Sequence, residues 1–310
     1  MRATTPSRLV LALLAAVALL GGACSDDDEP AVDDSPAPST STTAVSSGPT
    51  AGLLEKLPAD IARAKVLKVG SDVAYAPVEF FKEGTQLVQG IDPDVCAAIV
   101  AEFDENFKCE FQNSPFDGLI PALNAKRFDV IMSALSDTEE RQKTIDFVDY
   151  FNAGTSILVR EGNPEGIESL DDLCGKTIGL QKGTTQEELA TTQAKKCETD
   201  GKGKLTVLTF EKDTDALLQL KNGRTVADMN DFPVAAYNAK TSGGGKDFEV
   251  VGEQIDAGPY GIGIRKSDTQ LRDALQAALK AAIARGSYDR ALQAWNAKGG
   301  ALTTAAVNGG

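Results

Sequence analysis

Short apolar runs and amphipathic stretches alternate along most of this chain. Val66-Leu67-Lys68-Val69 reads as a strand, followed by a turn through Asp72 and Pro77. Asp92 to Glu102 reads as a helix with Val95, Ala98 and Ile99 on one face. Lys108 to Gln112 reads as a strand, Phe116 to Ala125 as a helix presenting Leu119, Ile120 and Leu123, and Phe128 to Met132 as another strand. Thr138-Glu139-Glu140-Arg141 then starts a helix.

A second series begins near Ser169. Strands are predicted over Lys176–Leu180, Leu205–Phe210 and Val226–Asn230, with helices over Thr185–Lys195, Asp213–Lys221 and Phe232–Lys240. Gly261 to Ile264 is a further strand. The chain then offers a helix with Leu271, Leu275, Ala278, Leu279 and Ile283 on one face, stopped by Gly286, and a last helix bearing Tyr288, Leu292 and Trp295 as core residues. Strands alternating with helices place the fold in the α/β class. Such folds have parallel sheets with ligand sites outside the carboxyl ends of the strands.

The N-terminal residues break this pattern. Arg2 and Arg8 precede an apolar run from Leu9 to Leu20, too short to span a membrane and suited to a signal peptide over residues 1–23. Gly21, Gly22 and Ala23 lead to Cys24, which resembles a bacterial lipobox cysteine, with Gly21 where leucine is usual. Cys24 is therefore the expected lipidation site, and an anchor on the outer face of the cell membrane the expected location. Residues 24–53 are rich in Asp, Ser, Thr, Pro and Ala, and read as a disordered acidic linker.

Composition narrows the chemistry. The chain is 42% hydrophobic and 25% charged, as expected of a packed globular protein. Its net charge of −14 argues against nucleic acid as a partner, since phosphate recognition needs a basic face. It has no histidine, which removes Ser-His-Asp and Cys-His catalysis and any imidazole metal site. No metal or cofactor is expected. Beyond Cys24 there are four cysteines, which in an exported protein read as disulfides. Of three connectivities, Cys96–Cys109 and Cys174–Cys197 are favoured, because each joins a helix region to a nearby strand region within one expected domain.

Three features sit where the alternating pattern reaches a sheet rim: Arg141, the Gly183-Thr184-Thr185 turn and Asp231. A guanidinium grips a carboxylate at two points, a turn opening a helix aims N–H groups at the same anion, and a carboxylate holds an ammonium. Together they make a receptor for a free α-amino acid. Each has a plainer use as well: Arg141 in a helix ion pair with Asp137 or Glu140, the threonines and Asp231 as helix caps.

From about Val66 to Trp295 the chain resembles the family 3 extracellular solute-binding proteins, the amino-acid-binding components of ABC importers. The matching stretches run in order: Gly90-Ile91-Asp92-Pro93-Asp94, Phe116-Asp117-Gly118-Leu119-Ile120-Pro121-Ala122-Leu123, Phe128-Asp129-Val130-Ile131, Thr138-Glu139-Glu140-Arg141 and Ile145-Asp146-Phe147. They continue through Gly175-Lys176-Thr177-Ile178-Gly179, Gly183-Thr184-Thr185 and Asp231-Phe232-Pro233. The resemblance implies a two-lobed clamp of the type II kind, with two parallel or mixed sheets joined by a two-segment hinge. Lobe one would comprise residues 54–153 plus 258–310, and lobe two residues 154–257. The hinges would be Gly154-Thr155-Ser156 and Ala257-Gly258-Pro259.

The resemblance also implies roles. Arg141 would take the ligand α-carboxylate with help from Ser136, and Asp231 the α-ammonium. Thr184 and Thr185 would supply N–H and hydroxyl donors, and Tyr75 and Phe116 would sandwich the ligand. Ser133 and Ser136 would form a polar pair on lobe one, where Ala134 replaces a residue often Ser or Gly and Asp137 an apolar one. Asp72 and Gln181 would read the distal end, favouring a polar or basic amino acid. The implied partners are that ligand, a transporter permease and, through the lipid, the membrane; the protein would work as a monomer. A dehydratase on the same scaffold and a ligand-presenting sensor are the other functions such a chain serves.

Overall fold

The computed structural model describes residues 48–310. The signal-peptide reading, the lipidation reading at Cys24 and the linker as far as residue 47 lie outside the described residues. The last residues read as linker are packed against the body. Thr50 donates its N–H and hydroxyl to Glu102, and Leu53 is buried in the core.

The strands are β1 (Val66–Ser71), β2 (Ala74–Tyr75), β3 (Glu79–Phe81), β4 (Val88–Gln89), β5 (Lys108–Asn113), β6 (Val130–Ile131), β7 (Ile145–Arg160), β8 (Thr177–Gln181), β9 (Thr206–Phe210), β10 (Ala227–Asp231) and β11 (Phe248–Arg265). Eight form one sheet in the order β5-β1-β6-β11-β7-β10-β8-β9, and β2-β3-β4 form a small antiparallel sheet. At each end the strands are parallel, β5 with β1 and β6, and β10 with β8 and β9. The long antiparallel pair β7 and β11 passes through both halves and hydrogen-bonds the two expected sheets into one. Their register slips between Val251 and Ile255, between Ile255 and Gly258, and between Tyr260 and Gly261. Asp256 has a positive φ of 48° within that stretch. A regular ladder cannot continue through such slips, so the pair is least regular midway between the two halves.

Each half has its own core. In the first, Ile91, Val95 and Ile99 recur at helical spacing on the helix Ile91–Val100. They pack with Leu275 and Leu279 of the helix Thr269–Ala284 against Val69 and Val130 of the sheet. The opposite face is covered by Leu119 and Leu123 with Phe128, Ile131 and Phe147. In the second half the period of two along β7 sorts the side chains. Ile157 and Val159 face a core with Leu180, Ala190 and Cys197, while Leu158 faces Leu217, Leu220 and Phe248 on the other side. Helices therefore cover both faces of each half, as a mostly parallel sheet requires.

Both favoured disulfides are present. Cys96–Cys109 joins the helix Ile91–Val100 to β5 with Cα atoms 6.4 Å apart. Cys174–Cys197 joins the turn before β8 to the helix Thr185–Thr199 at 5.4 Å. Tyr288 and Leu292 are buried as expected, and the Trp295 indole N–H donates to Asp94 at 2.7 Å. Two expectations change. The helix begun at Thr138 is one turn, Glu139–Gln142, because β7 starts at Ile145; and the strand read over Phe128–Met132 narrows to Val130–Ile131.

Candidate functional site

The site residues lie at or just past the carboxyl ends of strands, where side chains leave the sheet without competing for the core. Asp72 follows β1, Gln181 ends β8, Asp231 ends β10, and Ser133 and Ser136 follow β6. Arg141 stands in a one-turn helix capped by Thr138, whose hydroxyl accepts from the Arg141 N–H. These elements converge on a narrow cavity of ≈ 10 Å³. Nine of the ten expected residues line it; Ser133 sits directly behind it, so its place is in the wall rather than on the surface.

One end of the cavity is cationic. The Arg141 guanidinium lies 5.6 Å from the Phe116 ring and donates to the carbonyls of Ser136 at 2.9 Å and Gly183 at 3.1 Å. No carboxylate lies within ion-pair distance of it among the described residues, so the plainer alternative, a helix ion pair with Asp137 or Glu140, is not made. Burial pulls its pKa down against the fields of Glu188, Asp231 and Asp137. Beside it begins the helix Thr185–Thr199, whose first-turn N–H groups have no intrahelical acceptors. The Thr184 hydroxyl is a cap: it accepts from the Glu187 N–H at 3.2 Å and donates to the Gln181 carbonyl at 2.7 Å. The Gly183 N–H is taken by the Glu187 carboxylate at 2.7 Å. The anion-binding capacity of this turn therefore rests on the N–H groups that follow, not on Gly183 or the Thr184 hydroxyl. Gly183 has a φ of +79°, and a Cβ there would stand 2.9 Å from the Asp117 side chain, an approach only glycine allows.

The carboxyl groups of the wall are Asp231, Asp72 and Glu79. Asp231, 6% exposed, accepts from the Tyr75 hydroxyl at 3.0 Å and from the Gln186 amide at 3.0 Å, while its N–H donates to the Tyr75 hydroxyl at 2.9 Å. Burial raises its carboxyl to about 6, against hydrogen bonds from Tyr75 and Gln186 that hold it down. Asp72, 4% exposed, accepts from the Gln181 amide at 2.6 Å and is likewise pushed up to about 6 by burial. Neither carboxylate has a cation within ion-pair distance among the described residues. Two lining residues were not anticipated, Glu79 and Gln186, and Ala134 lines the cavity at the position where it replaces a residue often Ser or Gly. Gln186 follows Thr185 in the same helical turn, and that adjacency was the available signal.

The two halves meet around this cavity. Arg141 reaches Gly183, Tyr75 reaches Asp231, Gln181 reaches Asp72, and Lys182 pairs with Asp117 at 2.8 Å. A larger cavity of ≈ 300 Å³ begins beyond Pro77 and Phe232, but Lys240 is the only charged residue among the described residues that line it. Of the two, the smaller is the candidate site, because it brings a guanidinium and carboxyl groups together.

The buried carboxyls fix how stability responds to pH. Folding raises Asp72 and Asp231 to about 6 and Asp92 and Asp213 to about 7, burial being the largest cause for each. The folded form then binds more protons than the unfolded form between about pH 4 and 7, so stability is lost as pH rises through that window. The ligand-free protein should melt several degrees higher at pH 5 than at pH 8. A melting temperature that rises over this interval would contradict the assignment.

Residues 67–298 match the family model of bacterial extracellular solute-binding proteins, family 3. The chain is 33% identical over 229 residues to the histidine-binding periplasmic protein of Escherichia coli (strain K12), covering 72% of this chain and 85% of that one. It is 29% identical over 253 residues to the arginine-binding protein ArgT of Corynebacterium glutamicum, covering 81% of each. Among solved structures it is similar to an ancestral arginine-binding protein bound to arginine, with a TM-score of 0.68 at 34% identity over 74% of this chain and 98% of that one. The α/β halves, the bridging strand pair and the cavity between them agree with these matches, and the chain belongs to the bacterial extracellular solute-binding proteins, family 3.

Proposed function

We propose that this protein captures one free amino acid with a polar or basic side chain between its two lobes, outside the cytoplasm, and delivers it to the permease of an ABC importer. The observation that carries this reading is the pairing of Arg141 and Asp231. They line one cavity, and neither has an ionic partner in the described protein. An α-carboxylate on Arg141 and the Thr185–Thr199 helix N-terminus, with an α-ammonium on Asp231, would neutralise both at once. Tyr75 and Phe116 flank that position, and Ser136, Thr184 and Thr185 complete its walls.

The remaining charge speaks to the side chain. With Arg141 and Asp231 engaged, Asp72 is left facing the distal end with Gln181, which favours a cation or an amide and opposes a glutamate-like ligand. The relatives named for histidine, arginine, and lysine/arginine/ornithine support the basic choice. Lobe one is assigned to residues 54–153 plus 258–310 and lobe two to 154–257. The slipped register around Ile255 and Gly258 supports hinges at Gly154-Thr155-Ser156 and Ala257-Gly258-Pro259. Lipidation at Cys24 would hold a monomeric protein on the outer membrane face. No helix among the described residues is long and apolar enough to cross a membrane.

One solved structure of similar sequence is an ancestral amino acid-binding protein, a precursor of cyclohexadienyl dehydratase. We assign no catalysis to the present chain. Thermal denaturation of the purified protein, stripped of carried-over ligand, against the common amino acids and prephenate tests the reading. A ligand at about 100 times its Kd adds roughly 2.7 kcal/mol. Arginine, lysine, histidine or glutamine should raise the melting temperature by several degrees. A response to prephenate alone, or to glutamate above these four, would contradict it.

A further inference from the structure

Glu79 is the charged lining residue to which the assignments above give no role. It is 1% exposed, and it lines the ligand cavity from β3. One of its oxygens accepts from the Ser133 hydroxyl at 2.9 Å, and the same hydroxyl accepts from the Asp72 N–H at 2.9 Å. Its other oxygen, Oε2, is fully buried and has no donor among the described residues. Next to it stands Asp92, 0% exposed, in the first turn of the helix Ile91–Val100.

The donor count places a proton. The Asp92 carboxyl accepts on both oxygens, from the Tyr150 hydroxyl at 2.6 Å and the Ala134 N–H at 3.1 Å, as an ionised carboxylate does. Glu79 accepts on one oxygen only. A proton on Glu79 Oε2, directed to Asp92, satisfies the unpaired oxygen and removes the repulsion of two buried carboxylates. The groups whose charge acts on Glu79 are Asp92, Asp72 beyond β1 and Asp231 at the end of β10, with the hydroxyls of Tyr150 on β7 and Tyr260 on β11 close by. None is a cation. Burial and these carboxylates both push the Glu79 carboxyl up, the direction that the unpaired Oε2 requires.

We propose that Glu79 is a specificity-determining residue that holds a proton against Asp92 while the cavity is empty and gives it to solvent when a cationic side chain enters beside it. Capture of a basic amino acid is thereby coupled to proton release, while a neutral side chain leaves the proton in place. The inference rests on the amino-acid reading above and adds a property which that reading does not require. A cation brought next to a protonated buried carboxyl favours the ionised form. The proton leaves through the cleft before closure, and the ligand charge takes its place as the partner of Oε2.

Isothermal titration at pH 7.5 in buffers of differing ionisation enthalpy counts the protons. L-Arginine binding should release roughly one proton, and L-glutamine binding far less. In Glu79→Gln, whose amide keeps the shape and donates to Asp92, release on arginine binding should fall to near zero. Arginine binding with a heat independent of buffer would overturn the proposal and leave the amino-acid reading intact. So would equal release from Glu79→Gln and wild type, which would assign the proton to Asp72 or Asp231. Should the variant not fold, the wild-type affinity decides: with one proton released, arginine binds about tenfold tighter per unit rise from pH 6.5 to 7.5, and a flat profile refutes it. Absence of binding by any amino acid would overturn both readings.

Discussion

Replacing Arg141 with alanine should cost the protein its ligand while leaving the fold in place. The guanidinium contributes no ion pair to the described protein; its two recorded hydrogen bonds go to the Ser136 and Gly183 carbonyls. Removing it therefore strands no buried carboxylate of the protein and sacrifices only stacking on Phe116 and two solvent-replaceable bonds. In the complex the same truncation leaves the ligand carboxylate without its counter-charge in a water-poor cavity. Truncating one partner of a buried charge pair costs about 2–5 kcal/mol, or about 30-fold to several thousand-fold in Kd. Calorimetry on Arg141→Ala should show at least the lower figure, with a ligand-free melting temperature within a few degrees of wild type. Retention of wild-type affinity would place the carboxylate elsewhere.

The second large effect concerns stability. Cys174–Cys197 closes a loop of sequence separation 23 and ties the turn before β8 to the helix whose N-terminus faces the cavity. Cys197 is fully buried in the lobe-two core, beside Leu205 and Ala190. The chain-entropy argument gives about 3 kcal/mol for a bridge of this span. The double variant Cys174→Ser, Cys197→Ser should lower the urea midpoint accordingly, and the buried hydroxyl at 197 adds to the loss. An unchanged midpoint would mean that the bridge adds nothing to the folded state. Because the bridge also steadies the Thr185–Thr199 helix, ligand affinity in the folded double variant should weaken.

Much of this arrangement was legible in the sequence because it depends on local pattern. The helix over Ile91–Val100 was marked by Val95 and Ile99, and the one over Thr269–Ala284 by Leu271, Leu275 and Leu279, each a stripe of period near four that packing then used. Arg141, the Gly183-Thr184-Thr185 turn and Asp231 stood out because strand ends are where a parallel sheet opens, whereas Asp72, Tyr75, Phe116, Ser133, Ser136 and Gln181 came from the family resemblance. What escaped depends on partners distant in sequence. The strand β7 spans Ile145–Arg160 through Asp146, Asp149, Asn152 and Gly154, polar residues that break any apolar run. They are accommodated because Asp146 meets Arg272 and Lys266, and Asp149 meets the Gly309 N–H. The final segment gave no periodic signal either. Yet Val307 bridges to Val148, and Asn308 accepts from the Phe147 N–H, so residues near the end of the chain bind the first half of β7.

The site shows the same division. Arg141 and Asp231 were legible as isolated charges in suggestive places, but the caps that occupy Thr184 and Gly183 depend on Glu187, one helical turn away. Glu79 was illegible as a lining residue because it lies in a three-residue strand of the small sheet. Its neighbours there, Phe80 and Phe81, suggest core, and only the approach of Asp92 and Ser133 gives it a chemical context.

The account turns on recognition of both α-groups of one ligand by Arg141 and Asp231. The most direct measurement is calorimetric titration of the wild-type protein with L-arginine, with agmatine, which lacks the α-carboxylate, and with 5-guanidinovalerate, which lacks the α-ammonium. Arginine should bind, and each analogue should bind at least about 30-fold more weakly, the loss expected when one buried charge pair is left unmade. Agmatine or 5-guanidinovalerate binding as tightly as arginine would contradict the account.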